Sequence, residues 1–175
     1  GVTTVVDYIA NPATSFRPVS AGNTGALLYA NPSPPPDGAQ SLEGAEVEAK
    51  LISKIVPHST VRTQSQAMKA SLDFDLHELR PDVLVISAHA VAQSLSGPSY
   101  ASWDQPTYPM EGDRRRFFLS HSGIFLAPDF DHGDSYGVLT LEEILDMKPE
   151  APPSLVVLSA CQTALGELNS GDEVI

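Results

Sequence analysis

The sequence contains one cysteine, Cys161, among 175 residues. A single thiol cannot form a disulfide within the chain and cannot build a cysteine-rich metal site, so both devices are excluded. A lone thiol also fits a reducing compartment, and we expect a cytoplasmic protein. The five histidines lack the HExxH pattern and any paired spacing, so no metal ligand is predicted.

Positive charge is also scarce, with 10 basic residues against 22 acidic ones and a formal net charge of −12. The average field of such a chain repels phosphate backbones, so no nucleic-acid partner is predicted. The longest apolar runs fall short of the roughly 18 residues of a membrane span, so no membrane partner is predicted. No glycine-rich phosphate loop follows the first strand. A nucleotide- or flavin-binding domain is therefore a weakly supported interpretation of this sequence.

Apolar runs that alternate with helical patterns are the main structural signal. Strands are predicted at Ala26–Pro32, 59–63, Val83–Ser87 and Leu155–Ser159, and a hairpin at 116–120 and 123–128. Helices are predicted at 42–56 and 141–147, and from a Thr63/Gln66 capping box through Leu72 and on to Leu79. Residues 90–116 are expected to be irregular. The pattern predicts one α/β domain over residues 1–175, with a mainly parallel sheet and flanking helices.

Two segments of the chain share a pattern that indicates a catalytic site. DVLVISAHA is a buried-type strand that leads into His89, and SLVVLSACQT is a buried-type strand that leads into Cys161. Functional groups collect beyond the carboxyl ends of parallel strands, so neighbouring strands would bring His89 and Cys161 to one edge. The two side chains are then expected within about 4–7 Å, the pairing that a Cys–His dyad needs.

Other interpretations of the same residues remain open at this point. A lone cysteine at a strand end is often a small buried apolar residue, and a lone histidine is often structural. His121 and His132 are weaker candidates for a general base, because neither follows a buried strand of this kind. The spacing of Asp129, Asp131 and Asp134 does not fit a calcium loop, so a solvated acidic turn is expected there.

Several motifs together resemble the CHAT domain, a caspase-like family often found beside tetratricopeptide repeats. VLSACQTALGE followed by GDEVI resembles the family's cysteine motif, and DVLVISAHA resembles its histidine motif. LLYANP followed by LEGAEVEAKLISKI resembles the strand, loop and helix at the start of the family's pattern. GVLTLEEILDM resembles the helix before the cysteine strand, so the likeness covers nearly the whole chain in the right order.

The resemblance implies a caspase-like layered fold and a cysteine endopeptidase that uses His89 and Cys161 as its dyad. It implies backbone amides of Ala90 and Cys161 as donors to the oxyanion, although the family has glycine where this chain has Ala90. Alanine keeps the N–H and so keeps the donor. The expected partners are a protein or peptide substrate and a tetratricopeptide-repeat region or other regulator, with no cofactor. The alternative is a non-catalytic CHAT-like interaction scaffold.

Two further expectations concern the ends of the chain. Asp172 and Glu173 follow the cysteine closely, and acidic groups beside the dyad of related peptidases select a basic residue before the cleaved bond. We therefore expect Asp172 and Glu173 to bind a Lys or Arg side chain of the substrate. The family pattern continues beyond GDEVI and begins before Gly1, so the chain is expected to be incomplete at both ends, either as a fragment or as one chain of a cleaved pair.

Overall fold

The computed structural model describes residues 25–91 and 119–160. The elements follow the order β1 (Ala26–Pro32), α1 (Glu43–Ile55), β2 (Thr60–Gln64), α2 (Lys69–Leu79), β3 (Val83–Ser87), β4 (His89–Val91), β5 (Gly123–Phe125), β6 (Val138–Thr140), α3 (Leu141–Asp146) and β7 (Leu155–Ser159). A short 3-10 helix, Phe130–His132, lies between β5 and β6. The strands and helices thus alternate through the first half of the described chain, as the sequence predicts.

Four strands form a parallel sheet in the order β2-β1-β3-β7. Successive residues of β1 face opposite sides of this sheet. Leu27 and Tyr29 enter a core with α2 and the segments around β5 and β6, whereas Ala26 and Leu28 enter a core against α1. Both faces of the sheet are therefore covered, which explains why its strands are continuous apolar runs. The predicted α/β fold with a parallel sheet and flanking helices is confirmed.

A second, antiparallel sheet joins β4, β5 and β6. Gly123 begins β5 and lies close against β6, since a Cβ atom at this position would collide with the backbone oxygen of Leu139. The irregular segment predicted from Ala90 onward is wrong at its start, because Ala90 pairs with Ile124 in this sheet. The chain thus passes from β3 directly into the small sheet, and pairing with β5 fixes the backbone of residues 89–91.

The capping box predicted at Thr63 is wrong. Thr63 lies inside β2, where it pairs with Ala30 of β1, so its backbone is committed to the sheet rather than to a helix start. The helix begins later, at Lys69, after Met68 in an extended conformation, and it ends at Leu79 as expected. In contrast, the Thr140/Glu143 capping box is confirmed, with the Glu143 amide donating to Thr140 Oγ1 at 3.2 Å.

Two other local predictions need correction. The apolar face predicted for α1 is only partly right, because Ile52 packs against the sheet core while Val47, Leu51 and Ile55 are exposed. The small residues Ala45 and Ala49 also pack into this core. The predicted hairpin is also wrong in its described part, since residues 119–121 are helical and β5 pairs with β4 and β6.

A buried ionic group ties α2 to the sheet. Tyr29 Oη donates to Asp75 Oδ2 at 2.9 Å. Arg62 donates two hydrogen bonds to the same carboxylate, from Nε at 2.8 Å and from a terminal nitrogen at 2.7 Å. Burial alone would raise the pKa of Asp75, but the hydrogen bonds from Arg62 and Tyr29 outweigh it and hold this pKa below its ordinary value. Burial and the neighbouring carboxylate raise the pKa of Tyr29. The group is therefore a charged and fully bonded part of the core.

Candidate active site

The edge of the parallel sheet where β3 and β7 end is the candidate site. The two strands are parallel neighbours, with Ser87 opposite Ser159 at the end of their register. The contact continues one residue further, because the Ala88 amide donates to the Ser159 carbonyl oxygen at 3.2 Å. The expectation that these two strands lie side by side is confirmed. The chain beyond β3 enters β4 at His89, and the chain beyond β7 leads into Cys161.

His89 is held at this edge by the loop between β1 and α1. Its side chain is buried at 5 % exposure, and Nε2 lies 2.8 Å from the Gln40 carbonyl oxygen. A carbonyl oxygen can only accept, so Nε2 is the donor and carries the hydrogen in this contact. The neutral ring then has Nδ1 as its basic nitrogen. The loop contact thus selects both the orientation of the ring and its tautomer.

Ala90 follows His89 in β4 and has the extended backbone of a strand residue. The described non-glycine residues with a left-handed backbone are Asn31, His58, Gln64 and Arg80. Ala90 is not among them, so its backbone angles are ones that alanine adopts without strain. The replacement of the family's glycine therefore imposes no conformational conflict at this position.

A cleft of about 650 Å³ opens beside the ends of β3 and β7. Residues 40–45, which form the end of the loop and the start of α1, line one side of it, together with Glu48. Ser87 and Ser159 form its floor at the sheet edge. The carboxyl groups of Glu43 and Glu48 make this cleft acidic, which suits a positively charged ligand.

The other residues singled out by the sequence divide into two sets. Cys161, Asp172 and Glu173 lie outside the described residues, so their predicted roles stay predictions. His121 is exposed and its Nδ1 lies 2.9 Å from the Ser120 hydroxyl oxygen, unlike the buried and loop-anchored His89.

The acidic turn around Asp134 has a structural role. Asp129 and Asp134 exchange two backbone hydrogen bonds of 2.9 Å, and Asp134 Oδ1 accepts from the amides of Tyr136 and Gly137. Lys69 at the start of α2 lies 3.8 Å from the same carboxylate. Within residues 25–91 and 119–160, no group of three or more His, Cys, Asp or Glu side chains has a geometry able to hold a metal ion.

Sequence reasoning missed the polar residues that fix the loop beneath His89. Asn31, at the end of β1, is buried and bonds to Ser41, Leu42 and Glu46 across the loop. Glu46 also accepts from Gln64 Nε2 at 2.8 Å, and these hydrogen bonds, first that of Gln64 and then that of Asn31, lower the pKa of Glu46. The one signal in the sequence is an Asn at a strand end before a proline-rich loop, a place where Asn accepts unusual backbone angles.

The parallel sheet, the helices on both of its faces and the histidine beyond β3 define a caspase-like α/β domain. The model of the CHAT domain family matches residues 4–175, and the chain belongs to this family. The CHAT domain belongs to a caspase-like peptidase family. No curated protein and no solved structure gave a match. Among the described helices, none is both long and apolar enough to cross a bilayer.

Proposed function

We propose that this chain is a cysteine endopeptidase domain in which Cys161 is the nucleophile and His89 is the general base and acid. The observation that carries the proposal is the placement of His89. Its ring is buried and anchored through Nε2 at the sheet edge that β3 shares with β7, and β7 leads directly into Cys161. His89 lies two residues after Ser87 and Cys161 lies two residues after Ser159, the last pair in the register.

The chemistry follows from these roles. His89 accepts the proton of the Cys161 thiol, and the thiolate attacks the carbonyl carbon of the scissile peptide bond. The backbone amides of Ala90 and Cys161 donate to the oxyanion of the tetrahedral intermediate. His89 then gives its proton to the departing amine, which leaves a thioester on Cys161. Water, deprotonated by His89, hydrolyses the thioester and restores the thiol.

The test uses the pH dependence of alkylation, which is unambiguous because Cys161 is the only thiol. An activated Cys161 should react with iodoacetamide with a midpoint well below about pH 8.5, the value for a free cysteine. His89→Ala should raise this midpoint and slow the reaction near neutral pH. His121→Ala is the matched control, because His121 is exposed and anchored elsewhere, and it should keep the wild-type profile. Identical profiles in wild type and His89→Ala would refute the dyad.

The substrate that we propose is a protein or peptide with Lys or Arg before the cleaved bond. The acidic lining of the cleft supports this preference through Glu43 and Glu48, and Asp172 and Glu173 add carboxylates close to the nucleophile in sequence. We further propose that the domain acts in the cytoplasm under the control of an attached or partner tetratricopeptide-repeat region, as the family resemblance implies.

A non-catalytic interaction scaffold is the second candidate function. The observation that favours it is Ala90, which stands where the family has the glycine that follows its catalytic histidine. A scaffold has no need of an activated thiol. It would therefore give the alkylation midpoint of a free cysteine in wild type and in His89→Ala alike.

A further inference from the structure

Asn31 sits at the centre of a polar clamp formed with Ser41 and Glu46. Asn31 Nδ2 donates to Ser41 Oγ at 3.0 Å and to Glu46 Oε1 at 2.8 Å. Asn31 Oδ1 accepts from the backbone amide of Leu42 at 2.7 Å and from the Ser41 hydroxyl at 3.2 Å. One buried amide therefore holds the last turn of the loop, the start of α1 and a side chain of its first turn.

The backbone of Asn31 is arranged to make these contacts. Its φ of 50° lies in the left-handed region, which Asn and Asp enter more readily than other side chains. The residue leaves the regular β1–β2 register at this point, because Ala30 pairs with Thr63 while Pro32 pairs with Gln64. This irregularity leaves Asn31 without a partner in the register and places its side chain against the loop.

The clamp lies directly beside the contact that anchors His89. The Gln40 carbonyl oxygen, which accepts from His89 Nε2, belongs to the peptide bond that joins Gln40 to Ser41. Ser41 and Leu42, the next two residues of the chain, are both bound by the Asn31 side chain. The 2.8 Å bond to His89 breaks if this peptide moves by about an ångström, since hydrogen bonds end beyond roughly 3.5 Å.

We propose that Asn31 is a positioning residue that sets the tautomer and orientation of His89 through the Gln40 carbonyl. The proposal rests on the proposed function for its catalytic consequence, because a fixed Nε2–H keeps Nδ1 as the nitrogen that takes the thiol proton. Glu46 fixes the direction of the clamp. Its carboxylate only accepts, so the Asn31 amide must turn its Nδ2 toward Glu46 and its Oδ1 toward Leu42.

The test replaces Asn31 by Asp, which has the same shape and tolerates the same backbone angles. Asn31→Asp keeps the acceptor for Leu42 but loses both Nδ2 hydrogen bonds and brings a second carboxylate against Glu46. We expect the ¹⁵N shifts of the His89 ring to move away from the pure Nε2–H tautomer. We also expect alkylation of Cys161 at neutral pH to slow by on the order of tenfold, within the range for a misplaced reacting group.

A compensating variant separates positioning from general damage to the fold. Adding Glu46→Gln to Asn31→Asp reverses the direction of the hydrogen bond between positions 31 and 46. The amide introduced at position 46 donates to the carboxylate introduced at position 31. The tautomer and the alkylation rate should return to within about twofold of wild type. Gln64→Ala is the matched control, since it removes the other bond to Glu46 Oε1 and leaves the loop contacts intact. If Asn31→Asp does not fold, Ser41→Ala removes both hydrogen bonds between the Ser41 hydroxyl and Asn31 and should shift both readouts in the same direction.

Each outcome decides the proposal. A folded Asn31→Asp with unchanged His89 shifts overturns it, and so does a folded double variant without recovery. If the His89 tautomer responds as expected while His89→Ala leaves the alkylation profile of wild type, the clamp is upheld and the peptidase proposal fails. If His89→Ala changes the profile while Asn31→Asp changes neither readout, the dyad stands and the positioning role is refuted.

Discussion

At the scale of single residues, Asp75 shows how this core accommodates charge. A carboxylate buried without partners would be strongly destabilising, but here Arg62 and Tyr29 supply three hydrogen bonds to its two oxygens. The guanidinium reaches it from the half-exposed side, so only the carboxylate and the phenol are fully desolvated. Replacing the carboxylate therefore deprives donors of Arg62 and Tyr29 of a well-placed acceptor. Leaving donors unsatisfied at a buried site is strongly destabilising.

We expect Asp75→Asn to lower the free energy of unfolding at pH 7 by about 3 kcal/mol. Because the pKa of Asp75 is lowered by folding, its stabilising effect is present above the unfolded pKa of about 3.9 and is lost as pH falls below it. The difference between wild type and variant should thus shrink as the pH falls below about 4. Urea unfolding across this range measures it.

Glu150→Gln provides the control for this prediction. Glu150 also binds an arginine, Arg80, at 2.7 Å, but both side chains are largely exposed. An exposed pair contributes about 0–1 kcal/mol, so this variant should change stability little at any pH. Equal losses in the two variants would contradict the special role given to the buried carboxylate.

At the scale of elements, the small sheet is what connects His89 to the rest of the core. β4 pairs with β5, and β5 pairs with β6, which runs into the capped helix α3. Leu139 of β6 and Ile124 of β5 enter the same core as β3. A displacement of β5 is therefore transmitted to the backbone of residues 89–91.

Gly123→Ala should displace β5, because the added methyl group collides with the backbone of Leu139 and Thr140, which cannot rotate away. We expect a loss of about 1–3 kcal/mol in the free energy of unfolding. Gly44→Ala is the matched control, since the same methyl group meets nothing within 4 Å in the first turn of α1. There alanine should be neutral or stabilise by up to about 1 kcal/mol. Thermal unfolding of both variants decides the comparison, and an equal effect would contradict the close approach of β5 and β6.

Elements were predictable from the sequence where a local pattern decides them. β1, β3 and β7 are continuous apolar runs and have the predicted bounds, and Thr140 with Glu143 forms the predicted cap. Thr63 shows the limit of such reasoning, because its pairing with Ala30 in the sheet overrides a local capping signal. The clamp of Asn31 was not predictable, since it depends on how a proline-rich loop returns to the end of β1.

At the scale of the whole molecule, charge is the dominant feature. The net charge of −12 draws cations toward the surface, and the cleft beside the candidate site adds Glu43 and Glu48 at short range. A general field increases the rate of encounter with basic ligands, whereas selection at one substrate position needs carboxylates in contact with it. These two contributions are separable by experiment.

A peptide library tests the proposed preference for Lys or Arg before the cleaved bond. Asp172→Asn and Glu173→Gln should lower kcat/KM for basic substrates and change it little for apolar ones, because the lost carboxylates are the groups proposed to pair with the Lys or Arg side chain. Raising the salt concentration should weaken the general attraction in wild type and variants alike. Cleavage after apolar or acidic residues that neither substitution affects would refute the preference.

The strand order of the parallel sheet also governs when the site can exist during synthesis. β7 lies beside β3, but residues 155–159 leave the ribosome long after residues 83–87. At about 5–20 residues per second, the nascent chain spends on the order of 10 s with β3 made and its partner still missing. The edge that bears His89 is completed only after β7 has been translated. A nascent chain that lacks β7 therefore has His89 without the neighbouring strand that leads into Cys161, so the proposed dyad cannot form before β7 is made.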